Sequence, residues 1–264
     1  MPTRVVGDSG PPVMLLPGGA EEVDGFFPGL VEGLVADPGC RVILHDRPGT
    51  GTSTVDGSLA DAPSYLASLI GELGLGPVVV VGQSLGGGVA TLLARDHPDV
   101  LAGVVLLDPT PVNDASGCAR LERSMRLTER LCRVTVLRRL LSASLGRSFA
   151  RQRAKLTLRP DCEAAHRKIG DLDLPRLARS VHGITELSAG MRESDLPRHI
   201  PAVVVTADRK PSNSIRRSHT RVAQALGAEL VSWPGAMHNL QLDHPDETLE
   251  TVRDLVRRVA AATS

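Results

Sequence analysis

Short runs of Val, Ile and Leu recur along the 264-residue chain without alternating with polar residues. They are Val13–Leu16, Arg41–Leu44, Val78–Val81, Val104–Leu107, Ala202–Val205 and Glu229–Ser232. A strand with one wet face has to alternate. Runs that are mostly apolar throughout predict strands buried on both faces, as in a parallel sheet. Helix-length segments separate most of them: Phe27–Ala36, Asp61–Leu73, Leu85–Asp96, Ser214–Leu226 and Asp246–Ala262. Parallel neighbours need crossovers, and those crossovers place helices on the sheet, so the order predicts a doubly wound, mostly parallel α/β fold. Only Thr3–Val6 precedes the first strong run, which predicts at most a short opening hairpin. A chain of this length buries about three quarters of its unfolded surface and needs no covalent staples.

One stretch breaks the rhythm. From Val112 to Asp195 no strand-like run occurs, while amphipathic helical patterns do, most clearly over Arg120–Leu145 with Leu121, Leu127, Leu131, Val134, Leu137 and Leu141. The expected organisation is a core of 1–111 and 196–264 with a helical lid over 112–195. The whole chain has 30 Lys+Arg and 30 Asp+Glu, yet this stretch holds 17 basic and 10 acidic residues. It carries +7 and the remainder −7. The plain reading of these arginines is a solvated helical face; a lid that favours an anionic substrate is the sharper one.

The balanced charge argues against a polyanion partner, whose footprint is a basic domain. Aromatic residues make up 2% of the chain, too few for base-stacking platforms. No apolar stretch reaches the roughly 20 residues of a membrane span, and no apolar leader follows Met1-Pro2. The expectation is a cytoplasmic protein with a small-molecule substrate and neither a nucleic-acid nor a membrane partner. Its oligomeric state is open, a homodimer included. Cys40, Cys118, Cys132 and Cys162 form no Cys-x-x-Cys pair and have no histidine at ligand spacing, so reduced, mostly buried thiols and no metal are expected.

The chemistry begins at Gly82-Gln83-Ser84-Leu85-Gly86. The buried run Val78–Val81 leads directly into it, and a helix from Val89 to Arg95 follows. A serine on a sharp strand-to-helix turn holds its hydroxyl clear of the sheet, and small residues two positions either side let the turn close. The helix N-terminus aims free N–H groups at whatever carbonyl the serine meets. A bare Gly-x-Ser-x-Gly also occurs in ordinary glycine-rich turns; the strand before and the helix after give it weight. A serine hydroxyl needs a base, and His238 lies in the loop after the last predicted strand. His45, His97, His166 and His182 sit in strand ends, helix ends or the lid, and His244 reads as a capping residue.

With Ser84 and His238 in this order, the chain resembles the α/β-hydrolase superfamily over nearly its whole length. Leu15-Leu16-Pro17-Gly18-Gly19 matches the family's His-Gly loop after the third strand, with Pro17 in place of histidine. Asp46–Ser53 is similar to the family's Asp-x-Arg-Gly-x-Gly-x-Ser loop. The resemblance implies an α/β-hydrolase fold with the lid after the sixth strand. It implies Ser84 as nucleophile, His238 as base, the N–H groups of Gly19 and Leu85 as an oxyanion hole, and no metal or organic cofactor.

The acid departs from the family pattern. Members commonly end the strand after the lid with Gly-x-x-Asp, whereas this chain has Ala207-Asp208-Arg209-Lys210. Two carboxylates stand near: Asp208 in that loop, and Asp108, which ends the run before the lid. Some members, certain haloalkane dehalogenases and zearalenone-type lactonases among them, place the acid at the earlier position. A carboxylate that orients an imidazole must be buried beside it. Asp108 at a strand end suits this better than Asp208 flanked by Arg209 and Lys210, so Asp108 is favoured and Asp208 is the alternative.

These residues imply a serine esterase or lactonase that works through an acyl-enzyme on a small, mostly apolar substrate. The apolar expectation rests on the Leu-rich lid and on Phe26-Phe27 beside the oxyanion loop. Ser84 instead of aspartate at the elbow speaks against haloalkane-dehalogenase and epoxide-hydrolase chemistry. C–C bond hydrolysis, acyl transfer or cyclisation in a biosynthetic pathway would use the same residues. A non-catalytic ligand receptor would have no need of the complete set.

Overall fold

A computed structural model describes residues 3–170 and 173–263. The Met1-Pro2 start on which the leader was judged lies outside them. Seven strands form one sheet: β1 (Arg4–Val6), β2 (Pro12–Leu16), β3 (Arg41–Leu44), β4 (Val78–Gln83), β5 (Leu101–Leu107), β6 (Ala202–Val205) and β7 (Glu229–Val231). Their spatial order is β1-β3-β2-β4-β5-β6-β7, parallel from β3 to β7. β1 runs antiparallel along β3, with Val5 opposite Ile43. It lies at the sheet edge and forms no hairpin with β2.

Among the described residues the strand before the helical segment is the fifth in chain order. The family count that makes it the sixth assumes one more strand ahead of the oxyanion loop, and here only β1 and β2 precede that loop.

The runs of β2 to β6 bury both faces, as parallel packing demands, whereas Glu229–Val231 forms the edge strand and stays exposed to half-buried, against the expectation for that run. Met14 and Leu16 of β2 enter one cluster with Leu66, Val89, Leu93 and Leu226. These come from α2 (Ala62–Leu73), α3 (Leu85–Asp96) and α9 (Ser214–Leu226). Val13 and Leu15 enter the opposite cluster with Leu30, Leu34, Val252 and Val256. Those belong to α1 (Leu30–Ala36) and to α11 (Pro245–Thr263), which follows the short α10 (Leu240–Asp243). Phe26 and Phe27 meet edge-to-face at 5.0 Å and are core residues of this second cluster, so the apolar pocket expected of them is not what they form. All four cysteines are buried and free.

Between β5 and β6 lie α4 (Ala115–Cys132), α5 (Thr135–Arg153), α6 (Pro160–Gly170), α7 (Leu174–Ser180) and α8 (Ile184–Ala189). The single helical pattern expected over Arg120–Leu145 is two helices. Val134 is extended at φ −90° and ψ 113°. It opens a β-branched run, Val134-Thr135-Val136, whose side chains crowd a preceding helical turn. Glu122 ties α4 to α8. Its carboxylate accepts from the N–H groups of Gly183 and Thr185, both at 3.0 Å, and pairs with Arg126 at 2.7 Å. Burial opposes its ionisation, but these donors outweigh burial and bring its pKa down to about 2.

Candidate active site

Strand register assembles the site. Leu16 lies opposite Gly82, Gln83 opposite Leu107, and Leu107 opposite Val205. The residues that leave these strands, Pro17, Ser84, Asp108 and Thr206, therefore share the carboxyl edge of the sheet, where open α/β folds bind ligands.

Ser84 adopts φ 50° and ψ −117° at the start of α3, and Asp108 has φ 43°. They are the only non-glycine residues with positive φ among those described. Such conformations cost about 1–3 kcal/mol each and persist where the surroundings enforce them. The surroundings here are tight. A Cβ on Gly82 would sit 2.5 Å from the Gly86 carbonyl oxygen, and one on Gly86 would sit 2.1 Å from that of Leu16. Only glycine closes this elbow.

A continuous hydrogen-bond chain runs from the elbow. Ser84 Oγ is 2.9 Å from His238 Nε2, and His238 Nδ1 is 2.6 Å from Asp108 Oδ2. An ionised carboxylate only accepts, so Nδ1 carries the ring proton and Nε2 is left to accept from the serine. Asp108 is 2% exposed. Burial disfavours its charge, but Arg209, His238 and the Ala207 N–H outweigh that and hold its carboxyl well below the usual carboxylate range. Arg209 grips both oxygens, Nη2 at 2.6 Å from Oδ2 and Nη1 on Oδ1. The Ala207 N–H donates to Oδ1 at 3.0 Å.

Behind Asp108 lies His219, fully buried. Its Nε2 is 2.7 Å from the Pro109 carbonyl, which can only accept, so Nε2 bears the proton. Nδ1 then accepts from Thr206 Oγ1 at 2.9 Å. Burial lowers the His219 pKa, consistent with a neutral ring.

The histidine loop is pinned from three sides. Gln83, beside the serine, donates Nε2–H to the His238 carbonyl at 2.8 Å. Asp243 accepts from the Met237 N–H at 2.5 Å. Asp208, the alternative acid, accepts from the Gly235 N–H at 2.9 Å and donates its own N–H to the Ala236 carbonyl at 2.7 Å. It thus shapes the loop that carries His238, while the carboxylate on the imidazole is that of Asp108.

Gly19 has φ 53° and faces the insertion: a Cβ there would stand 3.0 Å from Leu177 Cδ1 of α7. No group among the described residues accepts from the Gly19 N–H. Leu85 is the first residue of α3, where an N–H has no intrahelical acceptor. Arg47, fully buried, donates to the Gly19 carbonyl at 2.6 Å, and burial lowers its pKa to about 10, so it stays cationic at neutrality. Asp46 ties the same region together through the N–H groups of Val23 at 2.7 Å and Thr52 at 2.8 Å. Glu21, two residues past Gly19, has its pKa pushed up to about 7 by burial, against the pull of Lys168 and Arg176.

The structure thus brings Ser84, His238 and Asp108 into one chain and sets Gly19 and Leu85 on the two segments flanking the serine. Sequence reasoning missed Arg209, His219, Arg47 and Gln83 as supporting groups. Arg209 had a signal: it stands beside Lys210, which occupies the position where the family keeps its acid, so a displaced acid could find a cation in that loop. His219 lies on a helix far along the chain and had none.

The family profile described as alpha/beta hydrolase fold matches residues 11–245. The chain belongs to the alpha/beta hydrolase fold family. It is 38% identical over 93 residues to the sn-1-specific diacylglycerol lipase ABHD11 of Mus musculus, covering 34% of this chain and 30% of that protein. It is 47% identical over 73 residues to lipase LipV of Mycobacterium tuberculosis, covering 27% and 26%. The matched parts are therefore under a third of either relative's length. In three dimensions the chain is similar to the enol-lactonase of Burkholderia xenovorans LB400, with TM-score 0.70 and 18% identity over 97% of this chain and 95% of that one. Among the described residues no helix is long and apolar enough to cross a membrane.

Proposed function

We propose that the protein is a serine hydrolase that cleaves an ester or lactone of a small substrate. The observation that carries this reading is the unbroken chain Ser84 Oγ–His238–Asp108 at 2.9 and 2.6 Å, anchored on a buried carboxylate. Ser84 Oγ attacks the carbonyl carbon as its proton passes to His238 Nε2. The negative charge that develops on the carbonyl oxygen is met by the N–H groups of Leu85 and Gly19, where losing one donor typically costs about 10²–10³ in rate. His238 returns the proton to the leaving alkoxide, which departs as an alcohol or, from a lactone, stays tethered to the acyl group. Water then gives a proton to His238 and attacks the acyl carbon, releasing the acid and restoring Ser84. Asp108 holds the ring tautomer and balances the imidazolium.

His238 is 52% exposed at its side chain, so the reacting edge is open to substrate from solvent. The lipase and lactonase activities of the proteins it resembles support an oxygen ester over other acyl derivatives. Labelling with a fluorophosphonate tests the reading. The folded protein is expected to be labelled on Ser84 and Ser84→Ala is not. A screen over esters and lactones of graded acyl length is expected to give turnover that the same substitution abolishes. Folded protein that takes no label would remove the proposal.

A further inference from the structure

The helical corner between α4 and α5 combines two features that the site chemistry does not use. The first is apolar. Among the described residues, six of the eight large hydrophobic side chains that stand exposed are Leu127, Leu131, Val134, Val136, Leu137 and Leu140. Every residue from Arg133 to Leu140 is exposed, and the 19-residue α5 buries none of its side chains. Single exposed aliphatics are ordinary, whereas a contiguous group marks a surface that meets something. On α5, Val136, Leu137 and Leu140 fall on one arc of the helix, and Leu127 and Leu131 are one turn apart on α4.

The second feature is charge. Between Glu129 and Asp161 the chain has nine arginines and lysines and no acidic residue. Of these, only Arg159 is in an ion pair among the described residues. At 100° per residue, Arg138 and Arg139 border the apolar arc of α5 on its two sides. Arginines of this kind bury their stems along an apolar surface and hold the guanidinium at its polar rim. The +7 of the whole insertion is thus concentrated at the apolar corner and along the helix that follows.

We propose that the α4–α5 corner is a peripheral docking surface for an anionic lipid–water interface. The six aliphatic side chains enter the acyl boundary, while Arg130, Arg133, Arg138 and Arg139 meet the anionic headgroups. A two-fold partner copy would set the same cationic face against itself, which like-charge juxtaposition penalises. That no helix among the described residues can cross a bilayer does not bear on docking, which needs no span. The surface goes beyond the proposed hydrolysis and does not depend on it.

Co-sedimentation of the full chain with phosphatidylglycerol and with phosphatidylcholine vesicles tests this. Binding is expected to the anionic vesicles only, to weaken as salt rises, and to be unchanged in Ser84→Ala. Replacing Arg138 and Arg139 by Gln is expected to lower the partition coefficient roughly 30-fold. The triple change Val136→Glu, Leu137→Glu and Leu140→Glu is expected to abolish binding, with circular dichroism and hydrolysis of a water-soluble short-chain ester unchanged. Equal binding to neutral vesicles, no binding to either, or binding that survives the triple change in folded protein overturns the proposal. So does a dimer in light scattering that the triple change dissociates, which would assign the corner to a second copy. Vesicle binding without Ser84 labelling would remove only the hydrolase reading, and labelling without binding only the docking surface.

Discussion

Arg209 holds both carboxylate oxygens of Asp108, the same carboxylate that accepts from His238 Nδ1. The loop in which family members commonly keep their acid supplies the counter-ion instead, and the carboxylate on the imidazole comes from the end of the neighbouring strand β5. The pair spans the ends of two parallel strands whose register sets Leu107 beside Val205.

The two candidate acids are expected to separate in kinetics. Asp108→Asn leaves an amide that can present its N–H to His238 and invert the ring tautomer, so kcat should fall roughly 10³–10⁴-fold. Asp208→Asn keeps an oxygen for the Gly235 N–H and should stay within about threefold of the parent. Steady-state kinetics on one ester decides it, and the reverse order would move the acid to the later loop.

Arg209→Met should act on Asp108 through charge. A folded-state pKa held below the unfolded value adds stability that is present above about pH 4 and lost as pH falls through the folded value. Without the guanidinium that pKa rises, so this stability is lost at higher pH than in the parent. Stability near neutrality should drop by about 3–5 kcal/mol, because a buried charge loses its partner. Urea unfolding at neutral and at acidic pH measures both effects. A loss of stability with acid at the same pH in both proteins would mean that Arg209 does not set the ionisation of Asp108.

Two glycine substitutions of equal size should have opposite outcomes. Gly86→Ala drives a Cβ to 2.1 Å from the Leu16 carbonyl oxygen, backbone that cannot yield without moving β2, and should cost about 3 kcal/mol or more. Gly71→Ala, within α2 and with nothing inside 4 Å, should stabilise by about 0.5–1 kcal/mol. Thermal denaturation of the two variants is the measurement.

Glu122→Ala removes an almost fully buried carboxylate and leaves the Gly183 and Thr185 N–H groups without an acceptor. A loss of about 2–4 kcal/mol is expected, with faster hydrogen exchange across α8. Because the folded pKa is about 2, the wild-type contribution should persist down to about pH 4 and fade between there and pH 2. A variant as stable as the parent at neutral pH would show that the staple contributes nothing.

Much of the framework was legible because the signals are local. Apolar runs without alternation mark doubly covered strands, and Gly82-Gln83-Ser84-Leu85-Gly86 names its own turn, since the backbone clearance at Gly82 and Gly86 admits no side chain. Other expectations failed where the decisive contact is remote. The pattern over Arg120–Leu145 has helical periodicity throughout, yet periodicity does not report that Val134 turns the chain or that Leu127, Leu137 and Leu140 find no core. Phe26 and Phe27 adjoin the oxyanion loop in sequence, but their rings turn into the cluster around Leu30 and Leu34.

The succession of buried strands and helices and the elbow follow from residue patterns within a few positions of one another, while His238, 154 residues from Ser84, was legible only through the family resemblance. Those patterns report steric fit and burial, which are properties of neighbouring residues. The choice of Asp108 over Asp208 beside His238, the grip of Arg209 and the neutral His219 behind them depend on which strand ends lie together. Register alone decides that, by aligning groups about 100 to 130 residues apart whose charges are balanced only once water has been excluded from between them.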